Sequence, residues 1–203
     1  MKIICIGRNY REHAKELGHE VPVEPVFFCK PESALIVNNQ PFFYPDFSHN
    51  VHYETELVLK ISRIGKNIEE RFAQRYYDEI GLGLDITARD IQNECIKKGL
   101  PWEKAKAFDG SAPVGKFLPL SRFPDLKNIN FHCNLNGQTV QKGNSGEMIN
   151  SFDSVVSFIS KYFTLKIGDL IFTGTPAGVG PLKLEDKFEG YIEGEKLLEL
   201  RVK

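Results

Sequence analysis

The sequence predicts an α+β fold in one domain of 203 residues. Three observations carry that expectation. Short runs of β-type composition, bounded by Gly, Pro and Asn, recur from one end of the chain to the other. Two of them flank Asn136-Gly137, a strong hairpin signal, because both residues accept the left-handed backbone of a tight turn. Helical spacing of apolar residues is confined to three or four short segments. A chain of this length buries around 70% of its unfolded surface, enough for a core without disulfides. No repeat, low-complexity stretch or linker divides it, so residues 1–203 are read as a single domain.

In order along the chain, "KIICIG" (2–7) reads as a strand and "NYREHAKELG" (9–18) as a helix stopped by Gly18. "VPVEPVFFCKPESAL" (21–35) is interrupted by Pro22, Pro25 and Pro31 and reads as an extended, looping segment. "VHYETELVLKI" (51–61) alternates as one strand. "NIEERFAQRYYDEI" (67–80) sets Ile68, Phe72, Tyr76 and Ile80 at helical spacing. "GLGLDIT" (81–87) is a strand, and "TARDIQNECIKKG" (87–99) a helix. Thr87 with Asp90 three residues on resembles a capping box, and Gly99 supplies the stop. "NINFHCNLNGQTVQK" (128–142) is a hairpin, and "SFDSVVSFISKYF" (151–163) a helix with Phe152, Val155, Val156, Ile159 and Phe163 inward. "GDLIFTGTPAGVG" (168–180) is a strand entering a Gly-rich loop, and "DKFEGYIEGEKLLELRVK" (186–203) a closing hairpin.

Composition removes several function classes. With 26 basic and 27 acidic residues, a net charge of -1 and no Lys/Arg block, nothing provides a nucleic-acid surface. Cys5, Cys29, Cys95 and Cys133 are scattered without zinc-type spacing and read as reduced thiols. No stretch approaches the ~18 apolar residues of a membrane helix. The apolar run at the N-terminus is too short for a signal peptide, so a cytoplasmic location is expected.

The chemistry starts in "VHYETEL". On a strand, His52, Glu54 and Glu56 share one face, with the two carboxylates ~7 Å apart along the chain. Like charges this close repel unless water, a proton or a cation intervenes. An isolated E-x-E is commonly a solvated face; a third carboxylate elsewhere turns it into half a metal site. Asp85 of "GLGLDITARD" supplies that carboxylate, at the end of a strand whose Gly81 and Gly83 admit close approach. Three hard oxygen ligands and no Cys favour Mg²⁺ or Mn²⁺, with Ca²⁺ as a further candidate. His52 shares the acidic face but is as well explained as a hydrogen-bonding neighbour, and it is not counted as a ligand.

Five ordered blocks, "VHYETEL", "GLDITARDIQ", "KGLPWEKAKAFDGSAPVG", "QKGNSGEMI" and "GDLIFTGTPAGVG", resemble the fumarylacetoacetate hydrolase family. The similarity is strongest to its short members, the acylpyruvate hydrolases and oxaloacetate decarboxylases, and runs from "GRNYREHAKEL" to the C-terminal hairpin. It implies a mixed β-roll with a few short helices, a homodimer, and a divalent cation held by Glu54, Glu56 and Asp85. It also implies that residues 8–20 form an active-site lid whose His13 and Glu16 activate water. That role suits their chemistry, since they are three apart on one helix face and Glu can orient an imidazole and stabilise its protonated form. By the same resemblance Lys106 lies close to the metal and steadies an enolate or carboxylate oxygen, and Gln92 orients substrate or water. Thr175 and Gly174 meet the substrate carboxylate from the Gly-rich loop, and Lys30 sits near the pocket mouth.

The block "FDGSAPVG" departs from many relatives at Asp109 and Gly110. Asp109 either changes substrate choice or lies outside the pocket. The expected activity is metal-dependent C–C bond hydrolysis of small 2,4-diketo acids (acylpyruvates), with oxaloacetate decarboxylation at the same site. An isomerase or decarboxylase acting on a 2-keto acid of ring-cleavage catabolism is the alternative within enzymes. A metal- or ligand-binding homologue without turnover is the alternative outside them.

Overall fold

The computed structural model describes residues 1–16 and 22–203. The expected helix stop at Gly18, and the part of the lid segment beyond Glu16, lie outside the described residues. In chain order the strands are β1 (Ile3–Gly7), β2 (Val26–Lys30), β3 (Leu35–Ile36), β4 (Val51–Tyr53), β5 (Thr55–Ile61), β6 (Tyr77–Leu84), β7 (Thr87–Ala88), β8 (Ala112–Pro113) and β9 (Leu118–Pro119). They continue as β10 (Asn130–Leu135), β11 (Gln138–Asn144), β12 (Leu170–Phe172), β13 (Gly180–Pro181), β14 (Lys187–Ile192) and β15 (Glu195–Arg201). The α-helices are α1 (Arg11–Glu16), α2 (Arg89–Lys98), α3 (Glu103–Lys106) and α4 (Phe152–Tyr162).

The largest sheet runs β2-β1-β12-β5-β6-β9, a second runs β11-β10-β14-β15, and a small third sheet joins β13, β4 and β7. Within the largest sheet β1 pairs with β12 in parallel, while β5 pairs antiparallel with both β12 and β6. Both faces of this sheet are buried. Ile4, Ile6, Leu57, Leu59 and Leu82 pack with Val155 and Ile159 of α4 on one side. Ile3, Cys5, Val58 and Phe172 pack on the other. Burial on both faces explains why β1 and β12 read as unbroken apolar runs rather than alternating ones.

The expected hairpin turn forms, with positive φ of 52° at Asn136 and 81° at Gly137. Gly99 closes α2 with φ 63°. Four expectations change. The segment 21–35 contains β2, which pairs antiparallel with β1; Pro25 and Pro31 stand just outside its ends and cost it no ladder bond. The helix expected over 67–80 is a 3₁₀ segment, Glu70–Tyr76, followed directly by β6, where Ile80 pairs with Leu59. Apolar residues four apart fit that arrangement equally well, and sheet pairing decides it. The Thr87–Asp90 capping box is not made. Ala88 is the N-cap, and Asp90 instead accepts from the Ser48 hydroxyl at 2.6 Å and the His49 N–H at 3.0 Å. Finally, the strand expected over 51–61 breaks at Glu54, so that β4 belongs to the small sheet and β5 to the large one. Among the described residues, no helix is long and apolar enough to cross a membrane.

Candidate active site

The break at Glu54 lets one short segment feed two sheets. Glu56 sits on β5 opposite Gly83 of β6. Asp85 follows the end of β6, and its backbone N–H donates to the Glu54 carbonyl at 2.8 Å. One carboxylate oxygen from each of Glu54, Glu56 and Asp85 lies within 4.8 Å of the others, and all three residues are buried. His52 stays out of this group. It is half-buried, its Nε2 lies 2.9 Å from Asn50 Oδ1, and burial together with the Arg89 charge pushes its pKa down to about 4. The bare strand face at Gly81 and Gly83 does not receive a ligand. A side chain at Gly81 would meet Phe117 at 3.0 Å, and one at Gly83 would meet Phe172 at 2.7 Å, so the glycines admit aromatic rings of the core.

Three cations meet these carboxylates. Lys106 Nζ, buried at the end of α3, donates to Glu54 Oε2 and Asp85 Oδ2 at 2.8 Å each and to Thr87 Oγ1 at 2.6 Å. An ammonium has three N–H groups, so this arrangement leaves none for a substrate oxygen, and Lys106 orients carboxylates instead. Arg89, at the start of α2, grips Glu54 Oε1 with Nη2 and donates from Nη1 to Gln92 Oε1 at 2.5 Å. Lys30 is not at the pocket mouth. It is buried, with Nζ 2.9 Å from Asp85 Oδ1, and it also donates to the Ser111 carbonyl and hydroxyl at 3.0 Å. The end of β2 carries it underneath Asp85, which explains why a Lys is tolerated there.

The electrostatics of the paired carboxylates diverge. Burial would raise the Glu54 carboxyl, but Lys106, Arg89 and His13 overcome it and hold the group well below the usual carboxylate range. Burial, Asp85 and Glu54 push Glu56 well above that range. Among the described residues no cation pairs with Glu56; it accepts the Gly174 N–H at 2.7 Å. A buried carboxylate pressed by two others and lacking its own counter-ion marks where positive charge is missing. Three converging hard oxygens suit a divalent cation there, so the residues fit the expected metal.

Above the carboxylates a cavity of about 230 Å³ is lined by His13, Gln92, Thr175, Phe28 and Trp102, among others. His13 and Glu16 meet as the helix spacing requires, Nδ1 to Oε2 at 3.2 Å. The root of α1 is fixed by Asn9, whose Nδ2 donates to the carbonyls of Thr173 at 2.8 Å and Asn150 at 3.0 Å. The Gly-rich loop turns out to serve the protein's own groups. The Gly174 N–H is spent on Glu56, and a Cβ there (φ 99°) would strike Asn9 at 2.7 Å. The Gly178 N–H donates to Glu16. Thr175 is buried and lines the cavity. Asp109 and Gly110 line a separate surface hollow with Ile36 and Phe108, away from the carboxylates.

Sequence reasoning missed Arg89. The available signal was its position three residues before Gln92 at the start of a helix, on the same face, but no motif flags such a residue.

The family model for the fumarylacetoacetate (FAA) hydrolase C-terminal domain matches residues 2–203. The mitochondrial oxaloacetate tautomerase of Mus musculus is 43% identical over 201 residues, 99% of this chain and 91% of that protein. A mitochondrial oxaloacetate decarboxylase of Dictyostelium discoideum is 43% identical over 183 residues, 90% of this chain and 84% of that protein. The crystal structure of fumarylpyruvate hydrolase from Pseudomonas aeruginosa, in complex with Mn²⁺ and pyruvate, superposes with a TM-score of 0.94 at 37% identity, covering 100% of this chain and 89% of that one. With sequence blocks, fold and carboxylate cluster in agreement over nearly its whole length, the chain belongs to the fumarylacetoacetate hydrolase family of enzymes.

Proposed function

We propose that this enzyme takes small 2-keto acids at a divalent cation and moves the proton on carbon 3 of oxaloacetate, interconverting its keto and enol forms. The observation that carries the reading is the convergence of Glu54, Glu56 and Asp85 within 4.8 Å beneath a cavity that also holds His13. The tautomerase names of relatives at about the same identity support the choice of reaction.

Mg²⁺ or Mn²⁺, held by the three carboxylates, supplies Lewis acidity that favours negative charge on the 2-keto oxygen. The protein's own residues do the rest. Because the Glu16 carboxylate can only accept, His13 Nδ1 carries the proton between them, and Nε2 is left as the basic nitrogen. His13 removes a proton from carbon 3, the C–H electron pair forms the C2–C3 double bond, and the carbonyl pair moves onto the 2-oxygen. Glu16 stabilises the imidazolium, which then returns a proton to that oxygen. Lys106 and Arg89 keep Glu54 ionised and in place throughout, and Thr175 and Gln92 hold the substrate carboxylate.

A second reading, C–C hydrolysis of 2,4-diketo acids, is favoured by the same His13–Glu16 pair, which suits activation of a water, and by the fumarylpyruvate hydrolase neighbour. In it, water attacks the distal carbonyl, the C–C bond electrons leave as pyruvate enolate, and His13 holds the water's proton. The separating experiment is ¹H NMR of the Mg²⁺-loaded protein with oxaloacetate and with acetylpyruvate. Tautomerisation predicts accelerated keto–enol exchange of oxaloacetate with no added pyruvate. Rapid conversion of acetylpyruvate to acetate and pyruvate, with oxaloacetate exchange at its background rate, overturns the first reading in favour of the second. Fast CO₂ loss from oxaloacetate without accelerated keto–enol exchange overturns the first reading.

A further inference from the structure

We infer that Gln141 is a positioning residue that fixes the polarity of the Thr175 hydroxyl, so that Thr175 donates its proton into the cavity to the carboxylate of the 2-keto acid. The inference rests on the proposed role of Thr175 in substrate binding and adds the group that enforces it. Gln141 belongs to the block "QKGNSGEMI", to which no function has been attached so far.

Gln141 is buried on β11, opposite Cys133 of β10. The register shifts just beyond that pair, where Asn134 pairs with Thr139 and Val140 is left over, a bulge of the kind that re-aims a neighbouring side chain. The Gln141 amide reaches two backbone groups of opposite character. Its Oε1 accepts the Thr55 N–H at 3.0 Å, and its Nε2 donates to the Pro176 carbonyl at 2.9 Å. A backbone N–H can only donate and a carbonyl can only accept, so the amide has one permitted orientation. Its second N–H then points at Thr175 Oγ1, 2.9 Å away. The hydroxyl therefore accepts from Gln141 and must send its own proton elsewhere. Among the described residues the acceptor within reach is the Pro176 carbonyl, which lies 3.5 Å off, at the limit of a hydrogen bond, and already takes the Gln141 N–H. Thr175 lines the cavity, so a carboxylate oxygen placed there is the better acceptor.

The same side chain touches the metal strand, because Thr55 stands between Glu54 and Glu56. Gln141 thus ties the residues that would hold the cation to the residue that would hold the substrate, with one amide between them.

The test is a double-mutant cycle read by calorimetry on the full-length chain, with pyruvate titrated into Mn²⁺-saturated protein and Mn²⁺ titrated separately. Gln141→Glu keeps the acceptor for Thr55 but replaces the donor with an acceptor, which draws the Thr175 proton away from the cavity. Expected results are a loss of about tenfold or more in pyruvate affinity, Mn²⁺ affinity unchanged, and KM for oxaloacetate raised more than kcat is lowered. Thr175→Val should weaken pyruvate similarly, and Gln141→Glu should add nothing in the Thr175→Val background. If Gln141→Glu leaves pyruvate binding intact while Thr175→Val weakens it, the inference fails and the reading of Thr175 stands. If Thr175→Val itself binds pyruvate normally, both fall. Additive losses in the double variant, or a parallel loss of Mn²⁺, overturn the inference by placing the effect of Gln141 on the metal strand. Gln141→Met, which deletes the donor without adding charge but also removes the acceptor of the Thr55 N–H, replaces Gln141→Glu if the latter does not fold; it should weaken pyruvate and add nothing in the Thr175→Val background, and additive losses there overturn the inference.

Discussion

The backbone N–H of Gly178 donates to both carboxylate oxygens of Glu16, each at 3.2 Å. The Gly-rich loop after β12 thereby holds the same side chain that orients His13. Glu16 is the last residue of α1, so this contact ties both the end of that helix and the imidazole it carries to the loop.

Glu16→Gln replaces the acceptor-only carboxylate with an amide that can face His13 either way round. We expect kcat to fall on the order of 10²-fold, with Mn²⁺ affinity retained because Glu16 bonds to His13 and Gly178 and not to the three carboxylates. Steady-state kinetics beside metal calorimetry checks this. A parental rate in the variant removes His13 and Glu16 from the mechanism.

Treatment with EDTA followed by desalting should abolish turnover, and Mg²⁺ or Mn²⁺ should restore it. Oxaloacetate exchange or acetylpyruvate cleavage that continues in fully chelated protein contradicts a cation-dependent reaction.

Glu56 gives a pH dependence with a definite sign. Burial, Asp85 and Glu54 raise its pKa, so above the usual carboxylate range the folded, metal-free protein keeps a proton that the unfolded chain has lost. Its contribution to stability therefore falls as pH rises through that window. Glu56→Gln should melt higher than the parent at pH 8 without metal, a gain of ~1 kcal/mol corresponding to about 2–4 °C, and the difference should shrink towards pH 4.5. The same variant should bind Mn²⁺ on the order of 100-fold more weakly. In the parent, Mn²⁺ binding should release protons and tighten with pH, which calorimetry in buffers of different ionisation enthalpy reads directly.

Lys106→Met leaves Glu54 and Asp85 buried without the ammonium that joins them. Removing one partner of a buried ion pair costs about 3–5 kcal/mol, so the metal-free variant should unfold at markedly lower urea concentration. Saturating Mn²⁺ should recover part of that loss, because it supplies charge at the same carboxylates. Equal loss with and without Mn²⁺ argues that Lys106 and the cation do not share ligands.

The carboxylate cluster was legible because strand spacing sets Glu54 and Glu56 on one face and the family resemblance joins Asp85 to them; the glycines before Asp85 serve core rings instead. The His13–Glu16 contact was legible because three-residue spacing on a helix brings the two together wherever the helix goes. The break at Glu54 was hidden, since the alternation from Val51 to Ile61 continues across it and only the choice of sheet partners interrupts the strand. The same holds for 67–80, where the spacing of Ile68, Phe72, Tyr76 and Ile80 fits a helix, yet Ile80 is claimed by Leu59 and Leu118. Arg89 and the buried position of Lys30 depend on what the fold packs beside them, which no local pattern records. Gly174 was expected to meet the substrate carboxylate, but its N–H is taken by Glu56 and the group packed against it is Asn9.

The strand break has a mechanical side. β4 is clasped by β13 and β7, whereas β5 is clasped by β12 and β6, so the single residue Glu54 crosses from one sheet to another. The gap between the first and second carboxylates is then a gauge of how those sheets are seated. Packing changes well away from it, for example at the Tyr53–Phe188 ring contact with centroids 5.4 Å apart, are expected to register as a changed preference between small Mg²⁺ and roomier Mn²⁺ or Ca²⁺.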